Sequence, residues 1–163
     1  MKLNLGCGDK KLSGFINVDN CKEVQPDILH DLNKFPFPFE TGSVELIRMD
    51  HVLEHLENQV KVLKECYRIL KPQGVLLIRC PHASYYLTHT NFYHSKVPSV
   101  ASFAVFSRFY ADDISFKIDS VKFRLLFANF LSGFFSRYSS FYEKFVAQFI
   151  PAEEFTVRLV KVD

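Results

Sequence analysis

Short apolar runs separated by polar stretches mark the first half of the chain. The runs cover residues 3–5, 15–19, 27–31, 44–49 and 75–78. Short continuous runs of this kind are typical of strands buried on both faces of a parallel sheet. After Asn58, a favourable N-cap residue, apolar positions 63, 66, 67 and 70 recur at helical spacing until the turn at 71–74. The order strand, helix, strand predicts an α/β fold with a mostly parallel sheet.

The connection between the first two predicted strands is unusually short. Only residues 9–14 are available for it. A crossover between parallel strands normally takes about 10–12 residues or more and contains a helix. The sequence therefore predicts that this connection has little or no helix.

The second half begins with a polar loop and continues into aromatic sequence. A weak helix is predicted at 99–108, and a strand is predicted within 115–126. From Phe127 to Phe149 apolar positions recur at helical spacing, which predicts one long amphipathic helix ended by Pro151. Alternating apolar residues at 154–162 predict a last strand.

The aromatic stripe of the predicted helix allows several interpretations. Packing against the sheet is the most frequent outcome for such a stripe. The stripe could also cap an apolar acceptor, form a homodimer, or make peripheral contact with a membrane surface. Arg137 and Lys144 are its only basic residues between 127 and 149, which is few for an interfacial helix.

Composition and charge narrow the class of protein. The 163 residues suffice for one domain, and the formal net charge of +2 with scattered Lys and Arg makes a nucleic-acid partner unlikely. The four cysteines form no Cys-x-x-Cys pair, and the amino terminus lacks the pattern of a signal peptide. No uncharged apolar stretch reaches the roughly 20 residues of a membrane span. We therefore expect a single domain over 1–163, without a transmembrane segment, in the cytoplasm.

Gly6 and Gly8 follow the first predicted strand, and Asp19 ends the second. Glycines at such a turn let the backbone approach a ligand closely, and a carboxylate at the end of the next strand can accept hydrogen bonds from both hydroxyls of a ribose. The alternative is a simple turn followed by a capping aspartate. The combined placement favours a nucleotide-like ligand.

The chain resembles the class I S-adenosylmethionine-dependent methyltransferases, in particular a small bacterial group with a type 11 domain. The resemblance rests on Leu3-Asn4-Leu5-Gly6-Cys7-Gly8, Ile16-Asn17-Val18-Asp19, Asp31-Leu32 before Phe37-Pro38-Phe39, His51-Val52-Leu53-Glu54-His55-Leu56 and Arg68-Ile69-Leu70-Lys71-Pro72-Gln73-Gly74. It implies a Rossmann-like sheet of seven strands with the last one antiparallel, here truncated at the amino terminus. Residues 1–82 would then bind the cofactor, and residues 83–163 would form the acceptor and lid part.

The resemblance also assigns roles to individual residues. The cofactor would be S-adenosylmethionine, with S-adenosylhomocysteine as its product. The cofactor-binding residues would be Gly6, Cys7, Gly8, Asp19, Asp31, Leu32 and Asp50. Within this set the glycine turn would face the methionine part, Asp19 would hold the ribose, and Asp31 with Leu32 would contact the adenine.

The acceptor is not identified by the sequence, and we expect a small molecule, a saccharide or a lipid-linked compound. His51 and His89 are the candidate catalytic bases, required only if the acceptor must lose a proton. Each could equally be a loop histidine that bonds backbone or solvent. The third glycine usual in the family is missing after Gly8. A non-catalytic binding or assembly module with the same fold is therefore the alternative function.

Residues 51–55 also match the pattern H-x-x-E-H, in which two histidines one helical turn apart bind zinc. No downstream glutamate is an evident third ligand. We therefore favour the methyltransferase interpretation and predict no metal site.

Overall fold

Seven strands form one twisted sheet in the computed structural model. The structure describes residues 1–85, 88, 90, 94, 96–109, 114–127 and 129–162. The strands are β1 (Lys2–Leu5), β2 (Ile16–Asp19), β3 (Ile28–Leu29), β4 (Val44–Asp50), β5 (Leu70–Pro81), β6 (Phe116–Leu125) and β7 (Ala152–Lys161). Their order is β3-β2-β1-β4-β5-β7-β6. β1 to β5 pair in parallel, and β7 runs antiparallel to both of its neighbours. The expected α/β sheet with a reversed last strand is thus confirmed.

Two helices lie close to their predicted positions. The helix α1 spans Gln59–Ile69, and the Asn58 side chain accepts a hydrogen bond from the Lys61 amide at its start. Its buried face follows the predicted spacing and carries Val62, Leu63, Cys66 and Ile69. The helix α2 spans Val100–Phe109. β5 begins directly after α1, and Gln73, at φ 61°, lies where β4 and β5 slip in register.

The short connection from β1 to β2 contains no helix, as its length predicts. Two buried asparagines hold it. Asn17 Oδ1 accepts from the Leu12 amide at 2.8 Å and from Asn4 Nδ2 at 3.0 Å. Asn17 Nδ2 donates to Asp27 Oδ2 at 2.9 Å, and Asn4 Nδ2 also donates to the Lys10 carbonyl. This Asn4–Asn17 clamp replaces the hydrogen bonds that a crossover helix would supply.

The prediction of one long helix at 127–149 is wrong. The segment consists of a 3₁₀ turn (Asn129–Leu131), α3 (Ser132–Arg137), α4 (Ser139–Phe141) and a π-helical turn (Tyr142–Val146). Tyr138 leaves the helical region with φ −115° and ψ 49°. After this interruption Phe135 and Tyr142 are both buried, and their rings lie tilted to each other at 5.1 Å between centroids.

Most of the aromatic stripe faces solvent, which corrects the expectation that it packs on the sheet. The exposed members are Phe127, Phe130, Phe134, Tyr138, Phe141, Phe145 and Phe149. Phe130 is 84% exposed and Phe149 is 76% exposed. We call these seven side chains the aromatic surface. Among the described residues, no helix is long and apolar enough to cross a membrane.

Candidate functional site

The carboxyl ends of β1, β2 and β4 meet beside a cavity of about 260 Å³. Its wall consists of Gly6, Asp19, Asn20, His30, Asp31, Leu32, Asn33, His51, Val52, His55 and Leu56. Open α/β sheets bind ligands at this edge, where the strand order reverses. Five residues assigned to the site from the sequence therefore share one cavity, which we call the cofactor cavity.

The turn after β1 requires its glycines. Gly6 has φ 67°, and a Cβ there would lie 2.4 Å from a Val52 side-chain carbon. Gly8 has φ 47°, and its backbone N–H donates to Asp19 Oδ2 at 2.8 Å. The Gly6 and Cys7 amides both donate to the Val18 carbonyl. The turn is thus fixed against β2 and keeps no side chain between the backbone and the cavity.

The carboxylate of Asp19 fits a ribose. Oδ2 accepts the Gly8 amide and Oδ1 accepts the Cys21 amide at 2.9 Å, so the group is held in one orientation. An ionised carboxylate offers about four acceptor positions, and two remain for vicinal hydroxyls. Asp31 Oδ1 likewise accepts the Asn33 amide, and Leu32 adds an apolar wall. These donors and acceptors fit a nucleoside at this edge of the sheet.

Two further residues assigned from the sequence, Cys7 and Asp50, are placed differently. Cys7 is 5% exposed, and burial raises the pKa of its thiol, so it packs beneath the turn. Asp50 accepts hydrogen bonds from Arg48 Nε and Nη2 and is not part of the wall of the cofactor cavity. His89 lies outside the described residues.

His51 follows β4 with a left-handed backbone (φ 56°) and faces carboxylates with both ring nitrogens. Nε2 lies 2.9 Å from Glu154 Oε2, and Nδ1 lies 3.5 Å from Glu54 Oε1. The hydrogen bond with Glu54, and next that with Glu154, raises the pKa of His51, although partial burial opposes the rise. The two carboxylates therefore stabilise the imidazolium form relative to the neutral ring.

A second cavity of about 320 Å³ adjoins the first, and His51 lines both. The other residues of its wall are Pro81, Tyr85, Thr88, His94, Glu153 and Glu154. We call it the polar cavity because most of its lining residues carry a hydroxyl, imidazole or carboxylate group. His51 thus stands between a nucleoside-sized cavity and a site suited to a polar molecule.

Several residues of the site were not assigned from the sequence. Glu154 comes from β7, and no local pattern links it to a histidine 103 residues earlier. Asn20, His30 and Asn33 lie in irregular connections after β2 and β3, and their proximity to predicted site residues was the only signal.

The histidines of the H-x-x-E-H pattern do not share a helical face. Residues Leu53–His55 form a single 3₁₀ turn, and His51 precedes it in the left-handed region. The helical spacing that the zinc-protease pattern requires is therefore absent.

Comparison with known proteins agrees with the fold. Residues 13–78 match the family model of a methyltransferase domain. Over 56 residues the chain is 38% identical to a probable S-adenosylmethionine-dependent methyltransferase of Mycolicibacterium smegmatis, which covers 34% of this chain and 21% of that protein. Over 95 residues it is 33% identical to the demethylmenaquinone methyltransferase of Chlamydia muridarum, covering 53% of this chain and 40% of the relative. The chain thus spans less than half the length of these relatives.

Solved structures show the same fold along nearly the whole chain. A SAM-dependent methyltransferase from Archaeoglobus fulgidus superposes with a TM-score of 0.66 at 17% identity, covering 98% of this chain and 85% of that one. Phosphoethanolamine N-methyltransferase 2 of Haemonchus contortus, solved with phosphomonomethylethanolamine and S-adenosylhomocysteine, superposes with a TM-score of 0.61 at 14% identity. The match covers 99% of this chain and 49% of that one. These matches show a methyltransferase fold, and together with the glycine turn and Asp19 they support a class I S-adenosylmethionine-dependent methyltransferase domain.

Proposed function

We propose that the protein transfers a methyl group from S-adenosylmethionine to a polar small molecule or saccharide. The observation that carries this proposal is the position of His51 in the walls of both cavities. A displacement reaction needs donor and acceptor in line and in contact, and two adjoining cavities supply that arrangement.

The cofactor cavity holds the donor by the groups already described. Asp19 would accept hydrogen bonds from the ribose hydroxyls, Asp31 and Leu32 would border the adenine, and the turn from Gly6 to Gly8 would leave room for the methionine part. S-adenosylmethionine supplies a methyl group on a positively charged sulfur, and the electrons of the broken C–S bond remain on that sulfur. The residues of this chain contribute orientation and, at His51, a group that handles a proton.

The wall of the polar cavity suggests the acceptor class. Tyr85 and Thr88 carry hydroxyls, and Glu153 and Glu154 carry carboxylates that accept hydrogen bonds from hydroxyl or amino groups. A hydroxyl acceptor loses its proton as the methyl carbon bonds to its oxygen. Neutral His51 can take that proton, and the neighbouring carboxylates stabilise the imidazolium that results. We therefore expect the methylation rate to rise with pH through the pKa of His51.

A lipid-linked acceptor is the second candidate, and the aromatic surface favours it. Seven exposed aromatic side chains on one segment are apolar surface of the kind that marks a contact with a membrane or a protein. Co-sedimentation with liposomes tests this candidate, with a variant in which Phe130, Phe134 and Phe145 are changed to serine as the control. Sedimentation of the variant equal to the wild type would contradict it, and a dimer that dissociates in the variant would instead assign the surface to self-association.

Calorimetric titration with S-adenosylmethionine and S-adenosylhomocysteine tests the cofactor site. Asp19→Ala should weaken binding of both at least tenfold, because the ribose hydroxyls lose their acceptor. Asp9→Ala, an exposed carboxylate in the β1–β2 connection, is the matched control and should bind as the wild type does. Absence of binding by the wild type would contradict the proposal.

Detection of S-adenosylhomocysteine with a panel of saccharide and small-molecule acceptors then separates an enzyme from a binding module. Formation of the product with any acceptor supports the enzyme. Tight cofactor binding without product on any of them would favour the non-catalytic module.

A further inference from the structure

One face of the sheet has no helix packed against it in the part of the chain that the structure describes. The helical segments pack on the other face, through ring contacts of Tyr67 with Phe116, Phe103 with Phe155 and Tyr142 with Phe123. Sheets of parallel strands are normally covered on both faces. We call the uncovered side the open face.

Strand register shows which side chains belong to the open face, because residues paired across neighbouring strands point to the same side of a sheet. Leu46 of β4 pairs with Val75 of β5, and Val75 pairs with Val160 of β7. The next row consists of Arg48, Leu77 and Arg158. All six side chains are only partly buried, whereas the residues between them, such as Ile47 and Leu76, are fully buried.

The open face combines an apolar patch with an excess of positive charge. The patch consists of Leu46, Val75, Leu77 and Val160. In β4 to β7 the basic side chains of this face are Arg48, Arg79, Lys117, Lys122, Arg124 and Arg158, and the carboxylates are Asp50, Asp119 and Glu154. Six basic groups against three carboxylates leave an excess of three positive charges around half-exposed apolar side chains.

The dimensions of the open face fit one helix. Four strands spaced about 4.8 Å apart span about 14 Å, and a helix with its side chains is about 10 Å wide. Along β7, the distance from Glu154 to Val160 is about 20 Å, the length of about 14 helical residues. A depression of about 420 Å³ adjoins the apolar patch, and Lys117, Arg158 and Val160 are among the residues of its wall.

The charge of the open face decides between possible partners. A second copy of the chain would bring two surfaces of like charge together, which opposes association. A nucleic acid would meet three carboxylates, and the rows of the open face in β4 to β7 carry no aromatic ring on which a base could stack. An acidic partner with an apolar stripe matches both the charge and the patch.

We propose that the open face binds an acidic amphipathic helix of a partner protein. The apolar stripe of that helix covers the apolar patch, and its carboxylates face the surrounding Lys and Arg side chains. Burial of the patch contributes to affinity, and the charges contribute orientation and specificity. The proposal concerns association and does not depend on methyl transfer.

Fluorescence anisotropy of the full chain with a labelled probe peptide tests the proposal. The probe is a peptide of about 18 residues, built from Leu, Ala and Glu, with its leucines at helical spacing. We expect saturable binding that weakens as the NaCl concentration rises. A peptide with Lys in place of every Glu should not bind. Absence of binding by the acidic peptide, or equal binding of the lysine peptide, would overturn the proposal.

Charge reversal on the open face supplies the first variant. Lys117 and Lys122 are exposed, and the double variant Lys117→Glu/Lys122→Glu should weaken binding of the acidic peptide by about tenfold or more. Lys61→Glu/Lys64→Glu is the matched control, because it reverses two exposed charges on α1, which packs on the other face. Equal weakening in the control would show attraction to net charge alone and contradict the proposal.

A second variant tests the apolar patch. Val75→Thr/Val160→Thr keeps the shape and the strand preference of both side chains and should weaken binding roughly tenfold. Unchanged binding in this variant would contradict a helix seated on the patch. Circular dichroism and thermal unfolding verify that every variant is folded.

Two further measurements separate the other possible occupants. Sedimentation equilibrium of the chain alone should show no dimer that depends on Lys117 and Lys122. A dimer that dissociates in Lys117→Glu/Lys122→Glu would overturn the proposal and assign the open face to self-association. Single-stranded oligouridine that binds more tightly than the acidic peptide, and is released by the same double variant, would overturn it in favour of a nucleic acid.

Discussion

Replacing Asn17 by alanine is expected to remove the interactions that hold the β1–β2 connection. Asn17 is 5% exposed, and its amide forms three short hydrogen bonds, to the Leu12 amide, to Asn4 Nδ2 and to Asp27 Oδ2. No helix in this connection compensates for their loss. The connection also carries Gly8, whose backbone N–H helps to hold the Asp19 carboxylate of the cofactor cavity.

The expected loss of unfolding free energy is about 3 kcal/mol. Each ordinary hydrogen bond contributes about 0.5–1.5 kcal/mol to this sum, and the bond to the Asp27 carboxylate contributes more. The Leu12 amide and the Asn4 amide would be left in a partly buried site, which keeps the loss near the upper end. Part of it should be visible as faster hydrogen exchange at the Leu12 amide.

Urea unfolding followed by circular dichroism measures this difference, with the slope of the transition compared between variants. Asn20→Ala, an exposed asparagine just beyond β2, is the matched control and should change the free energy by less than about 0.5 kcal/mol. A loss under about 1 kcal/mol for Asn17→Ala, with an unchanged slope, would refute the view that the Asn4–Asn17 clamp holds the connection.

Two further changes test contacts around the site. His51→Gln should lower the unfolding free energy at pH 6 and alter it little at pH 9. Glu54 and Glu154 raise the pKa of His51 in the folded protein. A raised pKa stabilises the fold at a pH below the unfolded-state pKa of about 6.5, and this stabilisation is lost as the pH rises through the folded-state pKa. Because the ring is 41% exposed, solvent limits this effect to less than about 1 kcal/mol. Arg68→Met should lower the unfolding free energy by about 2 kcal/mol, because the guanidinium joins α1 to the carbonyls of residues 37 and 39. Urea unfolding measures both.

Controls for these two changes come from the same elements. Lys64 is an exposed lysine of α1, so Lys64→Met should change the unfolding free energy much less than Arg68→Met does. For His51, NMR titration of the ring in Glu154→Gln should show a lower pKa than in the wild type. An equal loss at both pH values in His51→Gln would mean that packing, and not charge, is responsible.

The strands of the cofactor half could be predicted because burial on both faces leaves short apolar runs that end at the functional edge. Gly6 and Asp19 could be placed in one site for the same reason, since the carboxyl ends of neighbouring parallel strands meet, whereas Asp31 was assigned through the resemblance to the methyltransferases. The helix α1 was equally visible from Asn58 and the spacing of its apolar face.

The aromatic segment shows where sequence periodicity is insufficient. Spacing identifies residues on one side of a helix but not whether that side meets the sheet or solvent. The segment bends at Tyr138, and inward packing of Phe135 and Tyr142 leaves most other rings exposed. The contact of His51 with Glu154 could not be predicted from the sequence either, because it depends on where β7 pairs in the sheet.

The position of β7 between β5 and β6 has a consequence for synthesis of the chain. When residues up to Leu125 have left the ribosome, β5 and β6 have each been made but have no strand between them. Both then present unpaired backbone groups, the condition in which sheet edges invite association with other chains. Only when residues 152–161 emerge can this gap close and Glu154 reach His51. The nascent protein therefore acquires its histidine–carboxylate pair and closes the gap between β5 and β6 in the same late step.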